Sequence, residues 1–207
     1  MSDPCPPLAE TLNSIRTLCA KSGRPLDEVL DVPALSRASG LPEEDVETLL
    51  AGGTPPDVEP DVRVRQRVRF LYESHVNSDG QPKEIRDLAD VIGQTTTWTR
   101  KLVAGEAKPN LMVGHLLTKY YNVAPTYLAD PPDEALNREL QRPLRDLEIE
   151  VDPSQALKNL GVVHVAGRSA DLTNPDLTAL ARMVASIAED LAEVKFRLGG
   201  EGQEGSR

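Results

Sequence analysis

The stretch KEIRDLADVIGQTTTWTRKLVAGEAKPN, residues 83–110, decides how the rest of this chain is read. Leu88, Val91 and Ile92 recur at helical spacing, and Gly93 ends the run, as glycine does where the backbone needs a positive φ. Thr95 stands as the N-cap of a second short helix, where its hydroxyl can accept from the amides of the new first turn. That helix turns Leu102 inward and closes at Ala104-Gly105. Two short helices joined by a tight glycine turn make a helix-turn-helix, a motif whose second helix enters the DNA major groove.

The second helix displays Thr96, Thr97, Arg100 and Lys101, with no carboxylate between Asp90 and Lys101. Arginine can pair two donors with guanine, and threonine can reach base edges or phosphate. Amides at the helix start add phosphate donors. The plainer reading of the same residues is a solvated helix pair in an ordinary α domain. Trp98, the only tryptophan, either stacks on sugar or plugs the helix against its neighbours.

From Gly93 to Gly105 the spacing, together with Leu88-Ala89, Gly93, Thr95 and Leu102, resembles the Xre/Cro-type (lambda-repressor-like) DNA-binding domain. Tyr120-Tyr121-Asn122-Val123-Ala124-Pro125-Thr126-Tyr127-Leu128 is similar to that family's closing helices. GVVHVAGR, at residues 161–168, resembles the tail of actinobacterial regulators of the EspR type. The resemblance covers about residues 61 to 198. It implies that Thr96, Thr97, Arg100 and Lys101 face the groove, and that Lys108 and Asn110 make backbone or groove contacts. The chain departs from the family at Gln94 and Thr99, where the family usually carries aliphatic residues.

At 207 residues the chain can hold one large or two small domains. Aromatics are only 3%, so Leu, Val and Ala must build the core, which favours an all-α fold packed through aliphatic ridges. The net charge of -10 argues at first against a nucleic-acid partner. The distribution of that charge along the chain points the other way. Residues 1–60 carry 11 acids and 4 bases, residues 61–120 carry 7 and 10, and residues 121–207 carry 15 and 9. Only the middle segment is basic, and beyond a Debye length of about 8 Å a phosphate feels little else.

Slid forward by 53 residues, the N-terminal part falls on this segment without a gap. Leu35 meets Leu88, Gly40 meets Gly93, Leu49 meets Leu102, Ala51-Gly52 meets Ala104-Gly105, and Pro56 meets Pro109. Upstream, Ile15 meets Val68 and Leu18 meets Leu71. Residues 8–60 therefore read as a second helix-turn-helix, with PEEDVE at 42–47 where a DNA reader needs donors. Carboxylates suit a helix N-terminus, but they repel phosphate. This copy is expected to serve packing or protein recognition, to compete with DNA for the basic unit, or to be a plain solvated face.

Residues 62–70, VRVRQRVRF, alternate as a half-buried strand would. No strand-like partner lies nearby, and the repeat puts Val68 and Leu71 on a helix face, so the expectation is a helix. On it Arg63/Arg67 and Arg65/Arg69 form i,i+4 pairs, a basic surface suited to phosphate contacts or simply to solubility. Leu111, Leu116, Leu117 and Tyr120 make an apolar face for the next helix. A further helix is expected from near Glu134, with a stripe of Leu136, Leu140, Leu144 and Leu147 that Pro143 must kink or end. Short helical pieces follow at 154–160 and 162–168.

Asn174 and Pro175 open a final helix in which Leu177, Leu180, Val184, Ile187, Leu191, Val194 and Leu198 alternate three and four apart. That is a coiled-coil seam, for self-association or for burial against the chain's own helices. A dimer would set two readers about 34 Å apart, one on each half-site. The domains expected are 1–60 (acidic, degenerate), 61–130 (DNA-binding), 131–198 (dimerisation) and 199–207 (disordered tail).

Cys5 and Cys19 fit neither a metal spacing nor a disulfide framework. His75, His115 and His164 lie far apart. The opening MSDPCPP lacks a basic n-region and an apolar run, and nothing approaches the ~20 apolar residues of a membrane helix. A cytoplasmic, nucleoid-associated protein is expected, with no metal and no cofactor. No phosphate loop or nucleophile elbow points to an enzyme. Two functions remain: a homodimeric, sequence-specific regulator bound to double-stranded DNA, or an adaptor that uses a degenerate helix-turn-helix to hold a protein such as a sigma factor or partner regulator.

Overall fold

The computed structural model describes residues 7–161 and 174–199. The described chain is helical throughout, with no strand: α1 (Leu8–Ser22), α2 (Leu26–Val29), α3 (Val32–Ser39), α4 (Glu43–Leu50), α5 (Pro60–Ser74), α6 (Ile85–Ile92), α7 (Thr96–Val103), α8 (Leu111–Tyr121), α9 (Pro132–Val151), α10 (Pro153–Asn159) and α11 (Asn174–Gly199). The alternating 62–70 segment is helix, as the repeat implied. Pro60 starts it at a position where a missing amide costs nothing, and Val68 and Leu71 are buried one turn apart.

The described residues form two compact units. The first takes in those of Met1–Asn13 and Leu26–Gln141, the second those of Ser14–Pro25 and Arg142–Arg207. This differs from the boundaries expected at 60/61 and 130/131: α3 through α8 share one unit, and α1 and α9 each contribute to both.

Within the first unit, Tyr127 explains the missing boundary. It is fully buried in a cluster with Val68, Leu71, Leu88, Ile92, Leu102 and Leu117. Its hydroxyl donates to the Arg37 carbonyl of α3 at 3.3 Å, which ties residues on either side of position 60 into one core. Around it α3 packs on α4, α5 on α7, and α6 on both α7 and α8.

The 53-residue offset is carried into the backbone. α3 and α6 have the same length and the same relative bounds, as do α4 and α7. Gly40 and Gly93 both end a helix in the left-handed region, at φ 75° and 65°. Ala51 and Ala104 close the following helices at φ -77° and -76°. Inward positions match too: Leu35 and Leu88, Val46 and Thr99, Leu49 and Leu102 are all buried.

One expectation needs correction. Leu111 is not on the buried face of α8, being 93% exposed; Val113, Leu117, Thr118 and Tyr121 are the buried positions. Asn110 sets that register, since its side-chain carbonyl accepts from the Val113 amide at 2.9 Å and fixes where the helix begins. Of the two outcomes open to Pro143, it does not end α9, which continues to Val151 with Leu136, Leu140, Leu144 and Leu147 all buried.

In the second unit, α10 packs on α11 around Ile149, Ala156, Leu157, Ala181 and Ala185. Asp152 caps α10 by accepting from the Gln155 amide at 2.9 Å. The segment 162–168, the tail 200–207, Cys5, His164, and the side chains of Asn174, Val194 and Leu198 lie outside the described residues.

Candidate nucleic-acid interface

The turn from α6 to α7 is built by three residues. Gly93 turns the chain in the left-handed region, where its amide bonds back to Ala89 and Asp90. Gln94 is exposed and donates its amide to the Ala89 carbonyl at 3.0 Å. Thr95, in an extended conformation, accepts from the Trp98 amide through its hydroxyl at 3.2 Å. That bond satisfies one of the amides a helix start leaves unpaired.

From this cap α7 divides by face. Thr99, Leu102 and Val103 are buried, and Trp98 is partly buried against the same core. Thr99 departs from an aliphatic pattern without harm, because its hydroxyl donates to the Thr95 carbonyl at 3.0 Å. Thr96, Thr97, Arg100 and Lys101 are exposed. Neither Arg100 nor Lys101 has an ion-pair partner among the described residues. The structure thus brings two hydroxyls and two cations onto one outward surface, backed by a packed face.

The equivalent surface on α4 has opposite chemistry. Glu43, Glu44 and Glu47 stand exposed where the repeat places Thr96, Thr97 and Arg100. Asp45, half-buried beside them, has its carboxyl pushed above the usual value by burial and by the neighbouring Glu44 charge.

The Arg63/Arg67 half of the arginine surface on α5 does not form. Arg67 is 2% exposed, and its Nη1 donates to the Tyr127 carbonyl at 2.6 Å. Burial lowers its pKa to about 10, so it stays a cation at neutral pH. Arg63 is drawn to the preceding loop, donating from Nη2 to the Val58 carbonyl at 3.2 Å with Asp57 at 3.8 Å. Arg69 pairs with Glu73 at 2.8 Å. The helix carries more arginine than its outer face displays, because position 67 falls on the same inward stripe as Val68 and Leu71. Arg63 and Arg67 are therefore withdrawn as phosphate contacts.

Lys108 is exposed and holds Asp61 at 2.5 Å, and exposed Asn110 uses its side-chain carbonyl for the α8 cap, which leaves its amide group on the surface. On α11, Leu177, Leu180 and Val184 are partly buried against the second unit's own core, whereas Ile187 and Leu191 are 51% and 54% exposed. The expected seam is thus used internally over its first half.

His75 is half-buried, its Nδ1 beside the Ser74 hydroxyl at 3.0 Å and its ring edge-on to Tyr121 and Tyr127. No group of His, Cys, Asp and Glu among the described residues could hold a metal ion. No described helix is long and apolar enough to cross a membrane. Sequence reasoning did not foresee Tyr127 bonding to Arg37 of α3, nor Arg67 as a buried cation. For Arg67 the alternation in residues 62–70 was the nearest signal, and it pointed elsewhere. No family model, curated protein or solved structure matches this chain.

Proposed function

We propose that this protein is a homodimeric, sequence-specific DNA-binding regulator of the Xre/EspR-like kind, in which α7 enters the major groove. The observation that carries the reading is the two-faced α7. Thr96, Thr97, Arg100 and Lys101 are exposed while Thr99 and Leu102 are buried on the other side. A rigid helix with donors on its outer face and no carboxylate among them is what base-edge recognition requires. Phosphate attraction comes from the same cations and from the amides at the helix start. On this reading α3 and α4 are a second, degenerate helix-turn-helix, and Ile187 and Leu191 extend a dimer contact along α11. The protein would act at the nucleoid.

A second reading has its own support. Glu43, Glu44 and Glu47 form an exposed acidic row on a helix of the same length and setting. That row suits a basic protein partner, and an adaptor could use it with or without DNA.

Selection of bound duplexes from a random pool by the full-length chain separates the two. The regulator reading expects a recurring two-half-site motif, with affinity falling by about 0.9 log units per log unit of salt for each phosphate contact. Arg100→Ala should relax specificity, and Lys101→Ala should flatten the salt slope by about one contact. Weak binding without a motif, unaffected by both substitutions, would leave the adaptor.

A further inference from the structure

Within the first unit, the end of α5 forms one side of a cavity of about 520 Å³. Small-molecule pockets run from about 300 to 1,000 Å³ and combine apolar walls with a few placed polar groups. Arg37 of α3, His75 after α5, Lys83 ahead of α6 and Tyr120 of α8 all line this one. Val76, itself 45% exposed, adds apolar wall.

Among the described residues no carboxylate lines the cavity, in a chain with 33 acids against 23 bases. Burial raises the Tyr120 pKa and the nearby Asp87 charge adds to it, but Asp87 is exposed and outside the lining. Arg37 is exposed and Lys83 half-buried, and neither has an ion-pair partner among the described residues. Lys83 holds its Nζ 5.3 Å from the centre of the Tyr120 ring, which keeps the ammonium on a wall of the cavity. Burial holds the His75 pKa below its ordinary value, and the Arg37 and Lys83 charges push the same way. Both cationic heads therefore lie within electrostatic reach of one imidazole on the cavity wall. Like charges brought together repel, and an anion between them offsets that cost.

Two cations without a counter-ion suit a ligand head of two negative charges. Arginine takes two phosphate oxygens in parallel, and lysine adds a compact point charge. We propose that this cavity binds a small phosphate monoester, its dianionic head held between Arg37 and Lys83 and its apolar body laid against Val76 and the Tyr120 ring. Arg100 and Lys101 of α7 do not line the cavity, so the site stands or falls apart from the DNA reading.

Phenyl phosphate is the probe, titrated calorimetrically into the full-length protein at neutral pH, where its head is close to a dianion. It should saturate at one per chain. Benzenesulfonate, a monoanion of similar shape, should bind roughly tenfold weaker. Inorganic phosphate, which lacks the ring, should also bind more weakly. Arg37→Gln and Lys83→Gln should each weaken phenyl phosphate roughly tenfold while leaving thermal unfolding in place, since neither side chain is in the core. Val76→Glu puts a carboxylate on the wall at an exposed position and should abolish binding. Equal affinity for either control, a titration that never saturates, or indifference to the three substitutions would each overturn the site. Random-sequence duplex DNA should leave the bound probe in place; its displacement would give these cations to the DNA backbone and overturn the proposal.

Discussion

A Cβ placed on Gly40 would lie 2.6 Å from Cζ of Tyr127, closer than any real contact allows. The turn after α3 and the ring of Tyr127 are therefore fitted to one another across 87 residues of chain. Gly93, at the equivalent turn, has nothing within 4 Å of such a Cβ. Both glycines have positive φ, so an alanine at either bears the left-handed penalty of about 1–2 kcal/mol. Only Gly40→Ala adds overpacking, for a total of about 2–4 kcal/mol. Urea unfolding of the two variants should rank them in that order, and equal losses would mean that Tyr127 yields.

The α7 cap gives a second contrast. Thr95→Ala removes the acceptor for the Trp98 amide and should lower stability by about 1 kcal/mol. Thr99→Val removes a buried hydroxyl, but the Thr95 carbonyl keeps its bond from the Thr99 amide at 2.9 Å. No backbone acceptor is orphaned, so that change should alter stability by less than about 1 kcal/mol. The same unfolding measurement checks both.

His75 should make stability depend on pH. Burial, with Arg37 and Lys83 adding to it, pushes its pKa below the ordinary 6.5, so the unfolded chain takes up the proton first. The contribution is present above about pH 6.5 and is lost as pH falls through the lower folded value. Replacing His75 by Gln should flatten this part of the stability profile in a pH series of thermal melts. An unchanged slope would show that the imidazole is hydrated in the folded state.

Self-association through α11 is open to a direct measurement. Ile187→Glu combined with Leu191→Glu places charge on the two exposed apolar positions without touching Leu177, Leu180 or Val184. Sedimentation should show the mass halved, with helical content retained. A mass unaffected by the double substitution would move any dimer contact elsewhere.

Helix by helix, local chemistry was readable. Thr95 and Gly93 announced the ends of α7 and α6 by the conformations they favour, and the 53-residue offset foretold α3 and α4 from α6 and α7. What could not be read was which of two similar side chains goes inside. Arg63, Arg65, Arg67 and Arg69 differ only in helical phase, and two residues separate the exposed Arg69 from the buried Arg67 guanidinium that donates to the Tyr127 carbonyl. Leu111 failed the same way, because the start of α8 depends on which residue Asn110 caps. The division into units turned on Tyr127 reaching Arg37, a contact between residues that no local pattern connects. For the outward surface of α7 the sequence and the structure agree in detail, since it depends only on local phase and a strong cap.

The matched bounds of α3–α4 and α6–α7 separate interior from exterior. Because Leu35, Val46 and Leu49 occupy the stations of Leu88, Thr99 and Leu102, the outer residues of either copy are interchangeable as far as packing is concerned. Grafting Thr, Thr and Arg onto positions 43, 44 and 47 would exchange one electrostatic character for the other on an unaltered frame. The charge of that outer row can thus be altered without changing what the matched interior stations pack against.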